Sequence, residues 1–233
     1  MALLWSGTAE SAISLDRPDL YSYTEAGGTD GATQVGWGGV GEYMHAVLWR
    51  GTAESVVDLH PDGWLYSNAV GVWGDVQIGN AELAPVKWHG TPESMEFLDP
   101  DPKAGFATAI HRGEIVGYYY STYINSAVLW KRGKAILLGP ANFTSEAFDT
   151  NGEYQVGVGH RPDGDGADRP HALLWHGSRV SMIDLHQFLP SRFSISVAYG
   201  IDESGRIVGT AVDLNAGTEF PILWIPTSRP SIR

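Results

Sequence analysis

A chain of 233 residues with no cysteine and a formal net charge of −12 excludes disulfide frameworks and thiolate metal sites. It also offers no basic surface to nucleic-acid phosphates or to anionic membranes. Charged residues make up only 18%, while glycines number 29 and tryptophans nine, a composition that argues against disorder and for short strands joined by many turns.

The chain opens with MALLWSGTAESAISLD, which lacks the basic n-region and the long apolar h-region of a signal peptide. No signal peptide is expected in this chain, although it could still be the mature part of an exported protein. No later stretch approaches the length of a membrane span, so a soluble chain without membrane insertion is expected. The opening phrase returns as HAVLWRGTAESVVDLHP at 45–61 and as HALLWHGSRVSMIDLH at 171–186. Trp5, Trp49, Trp88, Trp130, Trp175 and Trp224 each close an apolar run, at intervals of 39 to 49 residues, the period of a propeller blade. A second anchor is the Gly that ends a Q-V-G or I-V-G phrase, at Gly36, Gly79, Gly117, Gly157 and Gly209.

Each unit reads as four short strands. First comes an S-x-A-like start with small residues at alternate places (SNAVGV, TSEAFD, SVAYGI), then the I-V-G strand, the A-V-L-W strand and a V-V-D-L strand. Small residues suit the crowded inner edge of a blade, which places S-x-A innermost and V-V-D-L outermost. The A-V-L-W run lacks alternation, as expected of a strand covered on both faces. No segment keeps a helical apolar period over a dozen residues, so almost no helix is expected. The predicted fold is all-β: one domain over 1–233, a five-bladed β-propeller of four-stranded antiparallel blades. The ring would close by pairing ESAISL near the N-terminus with the C-terminal strands around EFPILW, leaving either MALLW or the tail IPTSRPSIR outside the scheme.

The phrase H-A-x-L-W-x-G, followed by V-D-L, S-x-A and G-x-I-V-G, resembles the His-Ala-Phe (HAF) repeat of bacterial proteins, and the likeness covers essentially the whole chain. His45-Ala46 and His171-Ala172 keep the opening pair; Met1-Ala2, Pro85-Val86, Ser126-Ala127 and Pro221-Ile222 do not. The resemblance implies a propeller-like architecture and an extracellular or periplasmic location. It transfers no catalytic residue.

Candidate sites come from the residues themselves. His45, His171, His89 and His176 recur at fixed places around the A-V-L-W strand and read as structural, whereas His111 and His160 stand outside the pattern. His60 and His186 leave the outer strand towards a rim, where with Asp16, Asp62 or Asp99 they could hold a divalent metal. The loop HRPDGDGADRPH carries Asp163, Asp165 and Asp168 with the Asp-Gly alternation of a calcium loop, but lacks its closing Glu. Glu25 and Glu146, with Asp149 and Asp202 nearby, are the carboxylates a glycosidase-like hydrolase would need. Trp37, Trp64, Tyr43, Tyr66, Tyr120 and Phe188 depart from the core pattern and map to one rim, the equipment for stacking on a sugar or anchoring a protein. The leading expectation is therefore a non-catalytic binding propeller for a glycan or protein ligand. A hydrolase at the channel mouth is the alternative, and a purely structural module cut from a longer repeat array is the third reading.

Overall fold

The computed structural model describes residues 1–101, 103–141, 143–162 and 168–227, by backbone alone at 161, 162 and 168. The chain divides into two compact units, Met1–Ile110 and His111–Arg233. Its strands form six antiparallel sheets, and the described residues contain no α-helix, only five short 3-10 turns. The all-β, helix-free expectation therefore holds.

The first unit holds three sheets. The first has two strands, Leu3–Leu4 and Ile13–Ser14; the second has Thr24–Thr29, Gln34–Val40, Tyr43–Trp49 and Val57–Asp58; the third has Ser67–Trp73, Val76–Ala81, Ala84–Trp88 and Glu96–Phe97. The unit ends in the strand Gly105–His111, which opens the fourth sheet. In the second unit that sheet continues through Glu114–Tyr119, Ser126–Lys131 and Lys134–Leu137. The fifth sheet is Ser145–Thr150, Gln155–Pro162, Asp168–Trp175 and Ile183–Asp184, and the sixth is Ile195–Ile201, Ile207–Asp213 and Thr218–Trp224. In the second, third and fifth sheets the first and fourth strands of the repeat unit lie at opposite edges, as the repeat predicts.

The recurring phrases have local causes. The glycine of Q-V-G faces the carbonyl of the preceding strand so closely that a Cβ at Gly36, Gly79, Gly157 or Gly209 would lie 1.9 to 2.0 Å from it. Only hydrogen fits there. The S-x-A strand carries a one-residue bulge just after its alanine in the second, third, fifth and sixth sheets, which sharpens its local twist. Between the third and fourth strands, the serine of G-T-x-x-S ties the turn: Ser55 Oγ accepts from the Arg50 amide at 2.7 Å and donates to the Thr52 carbonyl at 2.6 Å. Ser11, Ser94 and Ser181 repeat the arrangement. From the neighbouring strand, the Oε1 atoms of Gln34, Gln77 and Gln155 accept the amides of Gly51, Gly90 and Gly177.

The A-V-L-W strand has two apolar faces, and the sheets use them in a fixed direction. Ala46 and Leu48 of the second sheet pack with Val86 and Trp88 of the third. Ala2 and Leu4 of the first sheet likewise meet Val47 and Trp49 of the second. In the second unit Ala172 and Leu174 of the fifth sheet meet Trp224 of the sixth. In these three joints one sheet thus presents the alternate Ala and Leu of its third strand to the next sheet's tryptophan. Trp49, Trp88 and Trp175 are fully buried in this way, each removing a large apolar area from water at about 25 cal/mol per Å².

The expected ring-closing pairing differs. Ile13 and Ser14 pair with Leu4 and Leu3 rather than with the C-terminal strands. The A-L-L-W strand is present at this end and occupies its own outer strand. The sixth sheet ends at Thr218–Trp224, with no fourth strand among the described residues.

Candidate functional site

The histidines kept at the repeat positions are bound into two matching networks, one in each unit. In the first, His45 Nδ1 donates to Asp58 Oδ2 at 2.8 Å, and the other carboxylate oxygen accepts the His60 amide at 2.8 Å. His60 Nε2 donates to the Trp64 carbonyl at 3.0 Å, which leaves Nδ1 to accept from the Ser67 hydroxyl at 2.8 Å. Ser67 Oγ in turn accepts the Ala46 amide at 2.9 Å. The two imidazoles stack, 3.8 Å apart and 9° from parallel. Burial, and then the nearness of His45, hold the His60 pKa below its usual value, in keeping with a neutral ring whose Nδ1 accepts a hydrogen bond from the Ser67 hydroxyl.

The second unit repeats this with His171, Asp184, His186 and Ser196. The His171–Asp184 and His186–Ser196 contacts are 3.0 and 2.8 Å, and the Ala172 amide donates to Ser196 at 3.0 Å. The rings stack at 4.0 Å. Each network joins the third and fourth strands of one sheet to the first strand of the next. The metal reading of His60 gives way here, because both of its ring nitrogens are committed to protein partners. Among the described residues no group of three or more His, Asp or Glu side chains is placed to hold a metal ion. Asp163 and Asp165 lie outside the described residues, and Asp168 opens the strand Asp168–Trp175.

The carboxylates named for hydrolysis have local duties. Asp149 accepts the amides of Ile201 and Thr150, both at 2.8 Å, while burial raises its pKa. Asp202 caps its own turn by accepting from Ser204 and Arg206, and these bonds, led by the Ser204 hydroxyl, hold its pKa well below the usual carboxylate range. Glu146 Oε1 accepts from Asn125 at 2.7 Å. Glu25 is exposed on the first strand of the second sheet.

The aromatic candidates separate into packed rings and exposed ones. Trp64 is half-buried, packs on the core between the second and third sheets, and approaches Phe97 at 6.0 Å between ring centroids. Trp37 lies over Gly27, whose added Cβ would meet its ring at 3.3 Å. Tyr43 and Tyr66 are 41% and 42% exposed and meet edge to face at 5.5 Å. Their contact brings the hairpin after Q-V-G and the connection into the next S-x-A strand together. Glu42 is exposed beside Tyr43, and the Glu82 amide donates to the Tyr66 carbonyl. Tyr120 and Phe188 are exposed in the second unit.

One feature was not legible from spacing. A cavity of about 190 Å³ in the second unit is lined by Glu146, Phe148, His160, Pro170 and Tyr199, among others. Phe148 and Tyr199 stack there at 6.0 Å. The S-x-A-[FY] phrase shared by the fifth and sixth sheets was its only sequence trace. No family model matches the chain, and neither does any curated protein.

Proposed function

We propose that the chain is a non-catalytic binding module of HAF-type propeller blades, and that its tyrosine rim takes a neutral glycan. The observation that carries this reading is the Tyr43–Tyr66 pair, half-exposed on a rim between two sheets. Aromatic rings with a wet polar edge are suited to stacking on sugar faces, and Glu42 supplies an acceptor for sugar hydroxyls. The chain's strong negative charge disfavours anionic ligands. The repeat histidines and Asp149 and Asp202 are occupied in structural bonds, which weighs against a hydrolase. The five-bladed ring belongs to the same proposal, and closing it with the N-terminal outer strand would require Ile13–Ser14 to leave Leu3–Leu4 for Thr218–Trp224. The HAF likeness extends the reading to an extracellular or periplasmic protein.

The experiment is glycan-array binding by the purified chain, followed by Tyr43→Ala and Tyr66→Ala. The expected result is retention of a neutral glycan that falls about tenfold or more in each variant while the far-UV circular dichroism stays unchanged. Absence of any glycan binding, or undiminished binding by both variants, overturns it.

A further inference from the structure

The cavity of the second unit lies against the first strands of the fifth and sixth sheets, and the repeat does not call for what lines it. In both sheets the residue after the alanine of S-x-A is the extra one at the bulge, left out of the strand ladder. In the second and third sheets that residue is Gly27 or Val70. In the fifth and sixth it is Phe148 and Tyr199, whose rings stack at 6.0 Å, 22° from parallel, on the cavity wall. A bulge re-aims the side chain it carries, and here two sheets use it to present an aromatic pair. Tyr199 stays 52% exposed, so its ring is not simply filling a gap in the core.

Glu146 stands two residues before Phe148 and lines the same cavity. Its Oε1 accepts from Asn125 at 2.7 Å, while Oε2 has no hydrogen-bond donor among the described residues. Asn125 thus orients the carboxylate and leaves one oxygen for another donor. The charge acts on its surroundings: burial, and then the nearness of Glu146, raise the pKa of Tyr118. Asp149 joins the two walls, its Oδ2 accepting the Ile201 amide of the sixth sheet at 2.8 Å. The aromatic pair and the carboxylate are therefore held in place before any ligand arrives, which lowers the cost of binding.

These parts select a charge and a size. No Lys or Arg is among the described lining residues. One carboxylate beside two ring faces, in a chain of net charge −12, favours a cation. A calcium ion would take about six to eight oxygen ligands, more than a single carboxylate provides, and Val158, Val197 and Pro170 complete the wall with carbon. An organic cation meets both conditions, with its carbon on the rings and its charge beside Glu146. The volume of about 190 Å³ is below the roughly 300–1,000 Å³ of sites for drug-sized ligands, which suits one small headgroup and not an oligosaccharide. We infer that this cavity is a second binding site, for a small alkylammonium cation held against the Phe148–Tyr199 pair by the Glu146 carboxylate. It shares no residue with the Tyr43–Tyr66 pair, so either site can be disproved without the other.

Titration of the full chain with tetramethylammonium chloride at constant ionic strength, followed by amide NMR shifts, tests this. Saturable binding with a Kd on the order of 1 mM is expected. Glu146→Gln and Tyr199→Ala should each weaken it about fivefold or more, whereas Tyr43→Ala leaves it unchanged. Tyr199→Leu keeps the bulk without the ring face; it should weaken binding as well, and it replaces Tyr199→Ala if that variant loses the wild-type circular dichroism. tert-Butanol, uncharged and similar in shape, should bind at least about fivefold more weakly. Phosphatidylcholine vesicles separate the two sources of such a headgroup. Co-sedimentation that Glu146→Gln abolishes assigns the cation to a lipid, and its absence beside tetramethylammonium binding assigns it to a free solute. No saturation at concentrations about tenfold above the expected Kd, equal binding of tert-butanol, or wild-type affinity in either Glu146→Gln or Tyr199→Leu overturns the inference.

Discussion

Two consecutive joints in the first unit solve one problem in different ways. Between the second and third sheets, the third-strand residue is Ala46, and its amide donates to the hydroxyl of Ser67. One repeat further on, the third-strand residue is Pro85, which has no amide hydrogen, and the residue in the serine's place is Gly105, which has no hydroxyl. Donor and acceptor are kept together or lost together. That is the accounting expected where an unpaired buried polar group is costly. The histidine network varies in the same all-or-none manner. His45, Asp58 and His60 occur as a set, as do His171, Asp184 and His186, whereas the register positions of Asp58 and His60 hold Phe97 and Asp99 after Pro85. Only the buried leucine between those positions persists, as Leu15, Leu59, Leu98, Leu138 and Leu185. The apolar part of the joint carries the fold, and the polar part is an optional clamp.

The sharpest way to break that contrast is to attack the apolar part. Trp88→Ala should destabilise the protein by about 3–5 kcal/mol, the range for emptying a buried tryptophan site. Trp5→Ala, at the same register position but exposed, should cost under about 1 kcal/mol. Urea or guanidinium midpoints measure both, and near-equal losses would remove the distinction between covered and bare faces.

The clamp comes next. Asp184→Ala strands His171 and the His186 amide and should cost about 2–3 kcal/mol by urea denaturation, since breaking bonds to a charged group leaves desolvated partners behind. Asp58→Ala should cost less, because the side chain of Asp58 is 43% exposed and that of Asp184 only 17%. Water replaces more of what is lost at Asp58.

The clamp should also respond to acid. His60 has a folded-state pKa lowered by burial and by His45, so between that value and the ordinary histidine range near about 6.5 the unfolded chain binds more protons. Stability contributed by neutral His60 is then fully present above this range and declines as pH falls through it. Comparing urea midpoints at about pH 7.5 and about pH 5, the wild type should lose more than His60→Gln. An equal loss in both would place the acid sensitivity elsewhere.

Much of this was readable from sequence, and the limits have physical causes. A period of forty-odd residues and the absence of helical periodicity sufficed for the all-β fold, because strand order within a repeat follows chain order. The repeat position of His45 and His171 marked them as structural. Their partners Asp58 and Asp184 went unrecognised, because a cross-strand bond depends on register rather than on spacing along the chain. His60 read as a metal ligand because its acceptor and donor, the Trp64 carbonyl and the Ser67 hydroxyl, come from the connection and from the next sheet. Trp64 read as a rim residue for a related reason. It departs from the periodic tryptophans, yet a non-periodic ring can still fill a local gap, and it packs on the core with Phe97. At the N-terminus, ESAISL was sent to the far end of the chain, although the local A-L-L-W strand was close enough to claim it.

The smallest effect gives the finest test of donor and acceptor moving as a pair. Pro85→Ala alone restores an amide hydrogen opposite Gly105, where no hydroxyl waits, and Gly105→Ser alone supplies a hydroxyl where no amide donates. Each single change should be neutral to destabilising by about 1 kcal/mol, the cost of a polar group left without its partner. The double variant recreates the Ala46–Ser67 pairing and should recover the loss, giving a favourable coupling of about 0.5–1 kcal/mol in a double-mutant cycle. Strictly additive changes would mean that the two positions do not meet across the joint, and the shared loss of amide and hydroxyl at 85 and 105 would then have a separate cause at each position.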